Sequence, residues 1–360
     1  MDLTLSDEQQ LLGETARAWV ARSCPIERVR ELESTGTYDP GLFTEIAGLG
    51  WAGLPIPESH GGAGAGMLEL ALVAEALGEG AVPTPLLSSV TLGALPLLWA
   101  GGTMAGRLVP ALAGGAQIAT LALVESGMHD EWGPVAMPGS PRLHGTKILV
   151  PWAEAADLFV VATAGGLRVV ERTAPGVRVT PHDTLGGDPL AAVEFDSAPA
   201  EPIGVGDGAT LLYRVLDHVT VVQLAYAVGV AKTMLDLAVA HAGDRHQFGR
   251  PIGSFQAVAH RCADMRVDVD ACRFLAYRAA WALDRRGEHE VEVAAALAYS
   301  KDAIRRIARH SHQVHGAIGF STEHALHLFS QRAKAFELGG GSAAHHRERL
   351  AAAMGLRANS

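Results

Sequence analysis

The chain has 360 residues, which is long enough for two or three packed units. Hydrophobic residues make up 48% and charged residues 19%, a balance that argues against a disordered chain. The net charge of −10 leaves no surplus of Lys and Arg for a phosphate backbone, so a nucleic-acid partner is not expected.

The thiols and the apolar segments indicate the compartment. Three cysteines, Cys24, Cys262 and Cys272, are too few for a disulfide framework, and none forms a CxxC pair. The first residues are acidic and polar, unlike a signal peptide. The most apolar stretch, residues 90–100, contains Gly93 and is too short to cross a bilayer. We therefore expect a reduced, cytoplasmic protein without membrane insertion.

Helical signals fill the first third of the chain. Ser6 followed by Gln9 is a capping-box pattern at the start of a helix. Asp39 before Pro40 is typical of a helix N-cap with proline at the first helical position. A loop rich in Gly and Pro follows over residues 48–66, after which helical spacing returns.

The character of the sequence then changes twice. Short, β-branched apolar segments predict strands, and long helical patterns follow them. The predicted strands are 118–124, 147–150, 158–162, 167–170 and 193–195, and the predicted helices are 208–241, 254–283, 290–315 and 323–338. This order predicts an α+β fold with a helical domain at 1–116, a β domain at 117–207 and a helical domain at 208–360.

Four local motifs occur along the chain. They are GLGWAGLPIPE at 48–58, GTK at 145–147 with Ala156-Asp157 after it, RHQFGRPIGSFQ at 245–256, and QVHGAIGFSTE at 313–323. The third matches an R-x-x-F-G-x-x-I-x-x-F-Q signature with nothing missing and is the most specific. In this order and register, the chain resembles the acyl-CoA dehydrogenase superfamily from about residue 5 to residue 350.

The resemblance implies a fold and a chemistry. Family members have an N-terminal helical domain, a β-barrel-like middle domain and a C-terminal four-helix bundle. They oxidise acyl-CoA thioesters at Cα–Cβ with FAD as hydride acceptor and pass electrons to an acceptor of the electron-transfer-flavoprotein type. The last two motifs reach across a subunit interface to a neighbour's FAD. The residues expected to contact its ADP half are Arg245, Phe248, Gln256, Gln313 and Gly316.

Elementary chemistry is compatible with these contacts. An arginine at a helix end offers a planar, permanent cation to a pyrophosphate, and Gly316 allows close backbone approach. Taken singly, Arg245 would be an ordinary surface charge and Gly316 a helix break. Only their combination in the family's order favours contact with FAD.

Two segments depart from the family pattern. The family's flavin loop, Thr/Ser-Glu-Pro-x-x-Gly-Ser-Asp, corresponds here to VESGMHDEW at 124–132, in which only Glu125 clearly matches. After Gly-Thr-Lys the family carries Trp-Ile-Thr, whose threonine hydrogen-bonds near flavin N5. This chain has Leu149-Val150-Pro151, and proline has neither a hydroxyl nor a backbone N–H to donate.

The catalytic base is missing from both positions known in the family. Removing the α-proton of a thioester needs a carboxylate in an apolar site. Counting along the family pattern places one base position at Gly340 and the other at Val219, and neither residue accepts a proton. Glu337 and Asp217 are the nearest carboxylates, and Glu337 is the weak candidate of the two.

A metal site is not expected. His312 and His315 are three residues apart, as are His324 and His327, a spacing that can hold a metal. No further carboxylate or cysteine ligand lies at a telling distance, and sixteen histidines give such pairs by chance.

Three functional hypotheses remain. Some bacterial acyl-CoA dehydrogenases that shorten steroid side chains are heterotetramers, in which one subunit supplies the base and a shorter partner supplies the ADP contacts. This chain resembles the shorter partner, so a bulky, steroidal acyl-CoA substrate is one expectation by analogy. The second hypothesis is a self-sufficient homodimer or homotetramer with a relocated base. The third is a catalytically inactive flavin- or CoA-binding homologue.

Overall fold

The computed structural model describes residues 4–36, 38–128, 131–185, 188–204, 208–285 and 289–356. The predicted boundary between residues 207 and 208 falls at a stretch outside the described residues. Two residues of the divergent flavin loop, His129 and Asp130, also lie outside them. The two predicted domain boundaries, between residues 116 and 117 and between residues 207 and 208, therefore stay a prediction.

Helices fill the chain before the strands. α1 (Asp7–Ser23) begins at the predicted capping box, in which the Ser6 hydroxyl accepts from the Gln9 N–H and the Gln9 side chain accepts from the Ser6 N–H. α3 (Pro40–Gly48) begins at the predicted N-cap, where the Asp39 carboxylate accepts from two backbone N–H groups. Both predicted helix starts are confirmed. The others here are α2 (Ile26–Thr35), α4 (Met67–Glu79), α5 (Leu86–Ser88), α6 (Leu95–Ala100) and α7 (Gly102–Ala113).

The strands form two sheets. They are β1 (Ala119–Ala122), β2 (Arg142–Pro151), β3 (Leu158–Thr163), β4 (Gly166–Glu171), β5 (Val177–His182), β6 (Leu190–Pro199) and β7 (Glu201–Pro202). One sheet has the order β1-β3-β4-β7, with β1 parallel to β3 and Ala119 opposite Leu158. The other is antiparallel in the order β2-β6-β5. All five predicted strands are present. The strands β5 and β7 were not predicted, because β5 is mostly exposed without an apolar run and β7 has only two residues.

Long helices follow the strands. They are α8 (Gly208–Asp244), α9 (Gln256–Leu283), α10 (Glu290–His315), α11 (Leu326–Leu338) and α12 (Ala343–Ala353). α9 begins two residues later than predicted because Ile252–Ser254 forms a 3-10 turn. A two-stranded hairpin, β8 (His246–Gln247) and β9 (Arg250–Pro251), was not predicted. This α–β–α order matches the fold expected from the resemblance.

The chain divides into two compact units. The first, called here the helical unit, comprises Met1–Glu31, Ala71–Val82 and Val221–Ser360. Inside it α4 and α8 touch backbone to backbone: a Cβ on Gly78 would lie 1.9 Å from the Tyr226 carbonyl oxygen. The second, called the mixed unit, comprises Leu32–Leu70 and Pro83–Thr220.

In the part of the chain that the structure describes, one helical segment is long and apolar enough, by length and composition alone, to cross a membrane. It is Thr210–Asp244, and 67% of its most apolar window is buried inside the structure. Buried core helices meet the same criterion, so this is weak evidence for a membrane span. The sequence predicts a helix over residues 208–241 but does not single it out as apolar, because polar residues interrupt the apolar run.

Candidate functional site

The arginine motif lies where α8 ends. Arg245 follows the last residue of α8, and its backbone N–H donates to the His241 carbonyl over 2.9 Å. Phe248 and Gly249 then form the two-residue tip of the β8–β9 hairpin, with φ of +51° and +77°. A non-glycine residue at positive φ is unusual, and two-residue hairpin turns require it. The hairpin thus holds Phe248 outwards with 91% of it exposed.

The base of the hairpin packs on the start of α9. The Phe248 and Phe255 rings meet edge to face at 6.0 Å, and the Arg250 guanidinium lies 4.2 Å from the Phe255 ring centre. The Ile252 N–H donates to the Arg245 carbonyl over 2.8 Å, which closes the loop. These contacts fix the hairpin beside Gln256, the first residue of α9.

A contact between histidines brings the motif at 313–323 close to the arginine motif at 245–256. The rings of His241 in α8 and His315 in α10 stack with centres 4.9 Å apart, and His315 meets His324 at 4.8 Å. Gly316 follows at φ +64°, where α10 stops and a short 3-10 turn begins. Gln313 lies in the last turn of α10. The ends of α8 and α10 therefore lie side by side.

The surroundings lower the pKa of three histidines near this contact, namely His241, His312 and His324. Burial, followed by the charge of His315, lowers the pKa of both His241 and His312. Burial and the neighbouring imidazoles likewise lower the pKa of His324. Within the described residues, no group of three His, Cys, Asp or Glu side chains is arranged to hold a metal ion.

The five residues expected to contact FAD share one property, which is exposure on the helical unit. We call them the motif surface: Arg245, Phe248, Gln256, Gln313 and Gly316. Among the described residues, no carboxylate pairs with the Arg245 guanidinium. A free planar cation, an exposed aromatic ring and an open glycine suit a pyrophosphate and a flat heterocycle. The chemistry of the surface therefore fits the ADP half of FAD, although the contact itself stays a prediction.

Glu125, the residue that survives in the divergent flavin loop, has a structural partner. Its carboxylate accepts from Lys147 Nζ over 2.6 Å and from the N–H groups of Met137 and Ala136 over 2.9 and 3.0 Å. Burial acts to raise the pKa of Glu125, but these hydrogen bonds outweigh it and the net pKa is lowered. Lys147 is fully buried. Glu125 is thus a fixed counter-ion and a poor candidate for a base.

The segment after Lys147 is irregular. The pairing of β2 with β6 shifts between Lys147 and Val150, and Leu149 lies at φ +53° with 48% exposure. The Pro151 carbonyl accepts from the Thr120 hydroxyl over 2.8 Å. Pro151 therefore acts as an acceptor, in agreement with the expectation that it donates no hydrogen bond.

A cavity of about 400 Å³ opens in the mixed unit. It is lined by three segments: 131–135, which begins with the last two residues of the divergent flavin loop; 162–167, at the β3–β4 turn; and Leu212, Tyr213 and Leu216 of α8. Trp132 stacks on Tyr213 with ring centres 6.0 Å apart and planes 16° from parallel. The volume is in the range of small-molecule sites, and two aromatic faces form part of the wall.

The first base position lies in a glycine turn that two buried side chains fix. Gly340 and Gly341 lie at φ +66° and +86°. The Gly340 carbonyl accepts from His346 Nε2 over 2.8 Å, and Lys301 Nζ donates to the carbonyls of Phe336 and Gly339. Lys301 is 3% exposed and His346 is fully buried. The turn is thus well ordered and offers only backbone groups.

None of the remaining base candidates places a free carboxylate in an apolar pocket. Val219 is buried in α8. Glu337 pairs with Lys334 three residues earlier on α11. Asp217 is 6% exposed and has interactions of its own. No sequence-derived candidate is brought into a site suited to removing a carbon-bound proton.

We expect His346 to make the helical unit sensitive to acid. Burial, opposed by the bond to Gly340, lowers the pKa of His346 to about 3, below its ordinary value of about 6.5. The unfolded chain therefore binds a proton at His346 that the folded chain does not bind. The free energy of unfolding falls as the pH drops below about 6.5. Between pH 7 and pH 5 this loss is about 2 kcal/mol.

Urea unfolding of the wild type and of His346→Gln at both pH values measures this effect. Glutamine keeps a donor for the Gly340 carbonyl without titrating, so we expect the variant to lose less stability on acidification. His182→Gln, at an exposed histidine, is the matched control. An unchanged pH dependence in His346→Gln would contradict the assignment.

The sequence alone does not show which side chains hold the motifs in place. Phe255 belongs to the motif at 245–256, His324 is considered above only as a metal ligand, and His241 belongs to none of the motifs. The one available signal was the position of His241, one helical turn before Arg245.

Comparisons with known proteins agree with this architecture. The family model described as "Acyl-CoA dehydrogenase, N-terminal domain" matches residues 6–116, and that for the C-terminal domain matches residues 206–355. Acyl-CoA dehydrogenase FadE27 of Mycobacterium tuberculosis is 34% identical over 360 residues, covering 94% of this chain and 95% of the relative.

Solved structures give the same result. The ChsE4-ChsE5 complex from Mycobacterium tuberculosis matches with a TM-score of 0.90 and 31% identity, covering 99% of this chain and all of that chain. A variant of the Tcur3481-Tcur3483 steroid acyl-CoA dehydrogenase matches with a TM-score of 0.88 and 29% identity, covering 98% and 99%.

Proposed function

Because the chain belongs to the acyl-CoA dehydrogenase family, we propose that it is the subunit without the catalytic base in a heteromeric dehydrogenase. Family members are FAD-dependent oxidoreductases that act on the CH–CH bond of acyl-CoA thioesters. The observation that carries the proposal is the glycine turn at Gly340, which presents no proton acceptor where relatives place one.

The motif surface supports the other half of the proposal. Bound FAD supplies the hydride acceptor for Cα–Cβ oxidation. The role of this chain is to bind the ADP half of a partner's FAD, with Arg245 against the pyrophosphate and Phe248 against the adenine. Both side chains project from the helical unit, and Phe248 is 91% exposed, so a second chain has access to them.

The flavin cradle of this chain is less suited to holding its own isoalloxazine ring. Glu125 is occupied by Lys147, and Pro151 cannot donate the hydrogen bond that the family's threonine makes. With the cradle altered and the base absent, the intact motif surface is most useful in a complex. The resemblance of this chain to a chain of the ChsE4-ChsE5 complex supports a partner that is itself a homologous chain.

The proposed substrate is a bulky acyl-CoA, including one with a steroid side chain. The similarity of this chain to a steroid acyl-CoA dehydrogenase supports this class of substrate. The cavity of the mixed unit has Trp132 and Tyr213 in its wall, and these rings provide aromatic surface for such a group. The electron acceptor proposed for the complex is a protein of the electron-transfer-flavoprotein type, and the compartment proposed is the cytoplasm.

Co-expression tests this function. The chain is produced alone and together with a homologous chain that carries a glutamate at the position of Gly340. We expect flavin absorbance and acyl-CoA-dependent dye reduction only in the co-expressed preparation, because each chain supplies half of the site. The control is the partner chain produced alone.

Two outcomes would contradict the proposal. Yellow, active protein from this chain alone would require a relocated base, and Glu337→Gln would then abolish that turnover. Flavin without turnover in both preparations would identify a catalytically inactive binding homologue.

A further inference from the structure

The side chain of His324 accepts a hydrogen bond at the start of α11. The backbone N–H of Leu326, the first residue of α11, donates to His324 Nδ1 over 3.1 Å. The N-cap residue itself, Ala325, has no side-chain acceptor. A ring nitrogen accepts a hydrogen bond only when it carries no proton, so this arrangement requires the neutral imidazole. His324 thus does for α11 what a Ser or Asp side chain does at an N-cap.

A row of imidazoles connects the start of α11 to both motifs. The ring centre of His324 lies 4.8 Å from that of His315, and His315 stacks on His241 at 4.9 Å. His315 directly precedes Gly316, and the His241 carbonyl accepts from the Arg245 N–H. The position of the His324 ring is therefore coupled to two residues of the motif surface.

The 3-10 turn at Gly316–Phe320 is packed between the end of α10 and the start of α11. A Cβ on Gly319 would lie 3.0 Å from His315 Cβ and 3.1 Å from Leu326 Cδ2. Both distances are shorter than ordinary van der Waals contacts, so the turn has no free space on this side. A shift of the first residue of α11 therefore moves the turn with it.

We propose that neutral His324 is a positioning residue for the motif surface. Its Nδ1 fixes Leu326, and Leu326 together with His315 holds the turn that places Gly316. This inference rests on the proposed function, in which Gly316 contacts a partner's FAD. Protonation of His324 turns the acceptor into a donor that faces the Leu326 N–H, and it adds a positive charge at the positive end of the α11 dipole. Acid therefore releases the start of α11 and weakens the hold on the ligand.

The charges around His324 act in the same direction. Arg30 of α2, His241 of α8, His315 of α10 and His327 of α11 face it, while the carboxylate of Glu323 belongs to an exposed residue. Burial, followed by these imidazoles and the Arg30 guanidinium, lowers the pKa of His324. The neutral form therefore persists through pH 7. The proton binds, and the positioning is lost, only as the pH falls below the ordinary histidine value of about 6.5.

Amide hydrogen exchange of residues 316–328 in the full chain tests the positioning role. We expect His324→Ala to speed this exchange roughly fivefold at pH 7.5, the factor typical of a lost helix-cap acceptor. After correction for intrinsic exchange rates, the wild type should show a similar increase at pH 5.5. The side-chain oxygen of asparagine accepts from the N–H two residues later and does not titrate, so His324→Asn should stay slow at both pH values.

Flavin release from the co-expressed complex gives the functional readout. We expect several-fold faster release on dilution at pH 5.5 than at pH 7.5 for the wild type, and a clearly smaller increase for His324→Asn. Comparison at equal pH cancels the acid effect of His346, which both proteins retain. Ser6→Ala is the matched control, because it removes the acceptor that caps α1 in the same unit. It should leave the exchange of residues 316–328 and the pH profile of flavin release unchanged.

Three results would overturn the proposal. They are wild-type exchange in His324→Ala at pH 7.5, a full acid response in His324→Asn, and exchange that follows His324 without any change in flavin release. A complex that holds no flavin at any pH refutes the proposed function instead, and the exchange comparison still decides whether His324 holds the turn.

Discussion

Arg245→Ala is expected to weaken FAD binding in the assembled complex by roughly 30- to 150-fold. A charge-assisted hydrogen bond to a phosphate contributes about 2–3 kcal/mol, and about 1.4 kcal/mol corresponds to a factor of ten. Arg245 has no carboxylate partner among the described residues, so its removal frees no buried charge elsewhere. The loss is therefore specific to the ligand.

Flavin release on serial dilution, followed by fluorescence, measures this effect. Arg245→Lys separates charge from geometry, because lysine keeps the cation but loses the planar fork, and we expect an intermediate loss. Arg305→Ala is the matched control: Arg305 is an exposed arginine of α10 that pairs with Asp302. Full flavin occupancy of Arg245→Ala on dilution would refute the role of the motif surface in holding a partner's FAD.

Glu75→Ala is expected to lower the free energy of unfolding by about 3–5 kcal/mol, the range for breaking a buried ion pair. Glu75 is fully buried in the helical unit. Its carboxylate accepts from Arg273 Nε over 2.8 Å and from the Tyr277 hydroxyl over 2.7 Å. Burial and the charge of Glu75 raise the pKa of Tyr277, so the hydroxyl stays a donor. Alanine leaves the Arg273 charge half-buried without its main partner.

Urea unfolding at fixed flavin and protein concentration gives the comparison. Glu75→Gln keeps the shape and part of the hydrogen bonding, and we expect it to be less destabilising than alanine. Arg178→Ala, which breaks the exposed pair with Glu194, should cost about 1 kcal/mol or less. A loss below about 1 kcal/mol for Glu75→Ala would show that the network contributes little to stability.

Much of the fold could be predicted from the sequence because it depends on local patterns. The caps at Ser6 and Asp39 follow from residues within one helical turn. β5 could not be predicted, because an exposed strand lacks an apolar run. The hairpin tip was also hidden, since Phe-Gly replaces the usual Asn-Gly signal for two residues at positive φ.

Some features of the candidate site likewise follow from the sequence, whereas others are visible only in the tertiary structure. Counting along the sequence predicts that Gly340 takes the position of a base. The backbone turn in which Gly340 lies is compatible with that prediction. The contact of His241 with His315 joins segments about seventy residues apart, so only the tertiary structure shows it. The pairing of Glu125 with Lys147 likewise depends on how the loop after β1 lies against β2, and it occupies the one acid of the loop that matches the family pattern.

The conformation of Gly340 has an evolutionary consequence. At φ +66° any other residue carries a left-handed backbone cost of about 1–2 kcal/mol. A single codon change to glutamate would therefore destabilise the turn before the new carboxylate could be aimed at a substrate. An independent base at this position therefore requires a turn of different backbone conformation. In the proposed heteromeric enzyme, this requirement makes dependence on a partner difficult to reverse.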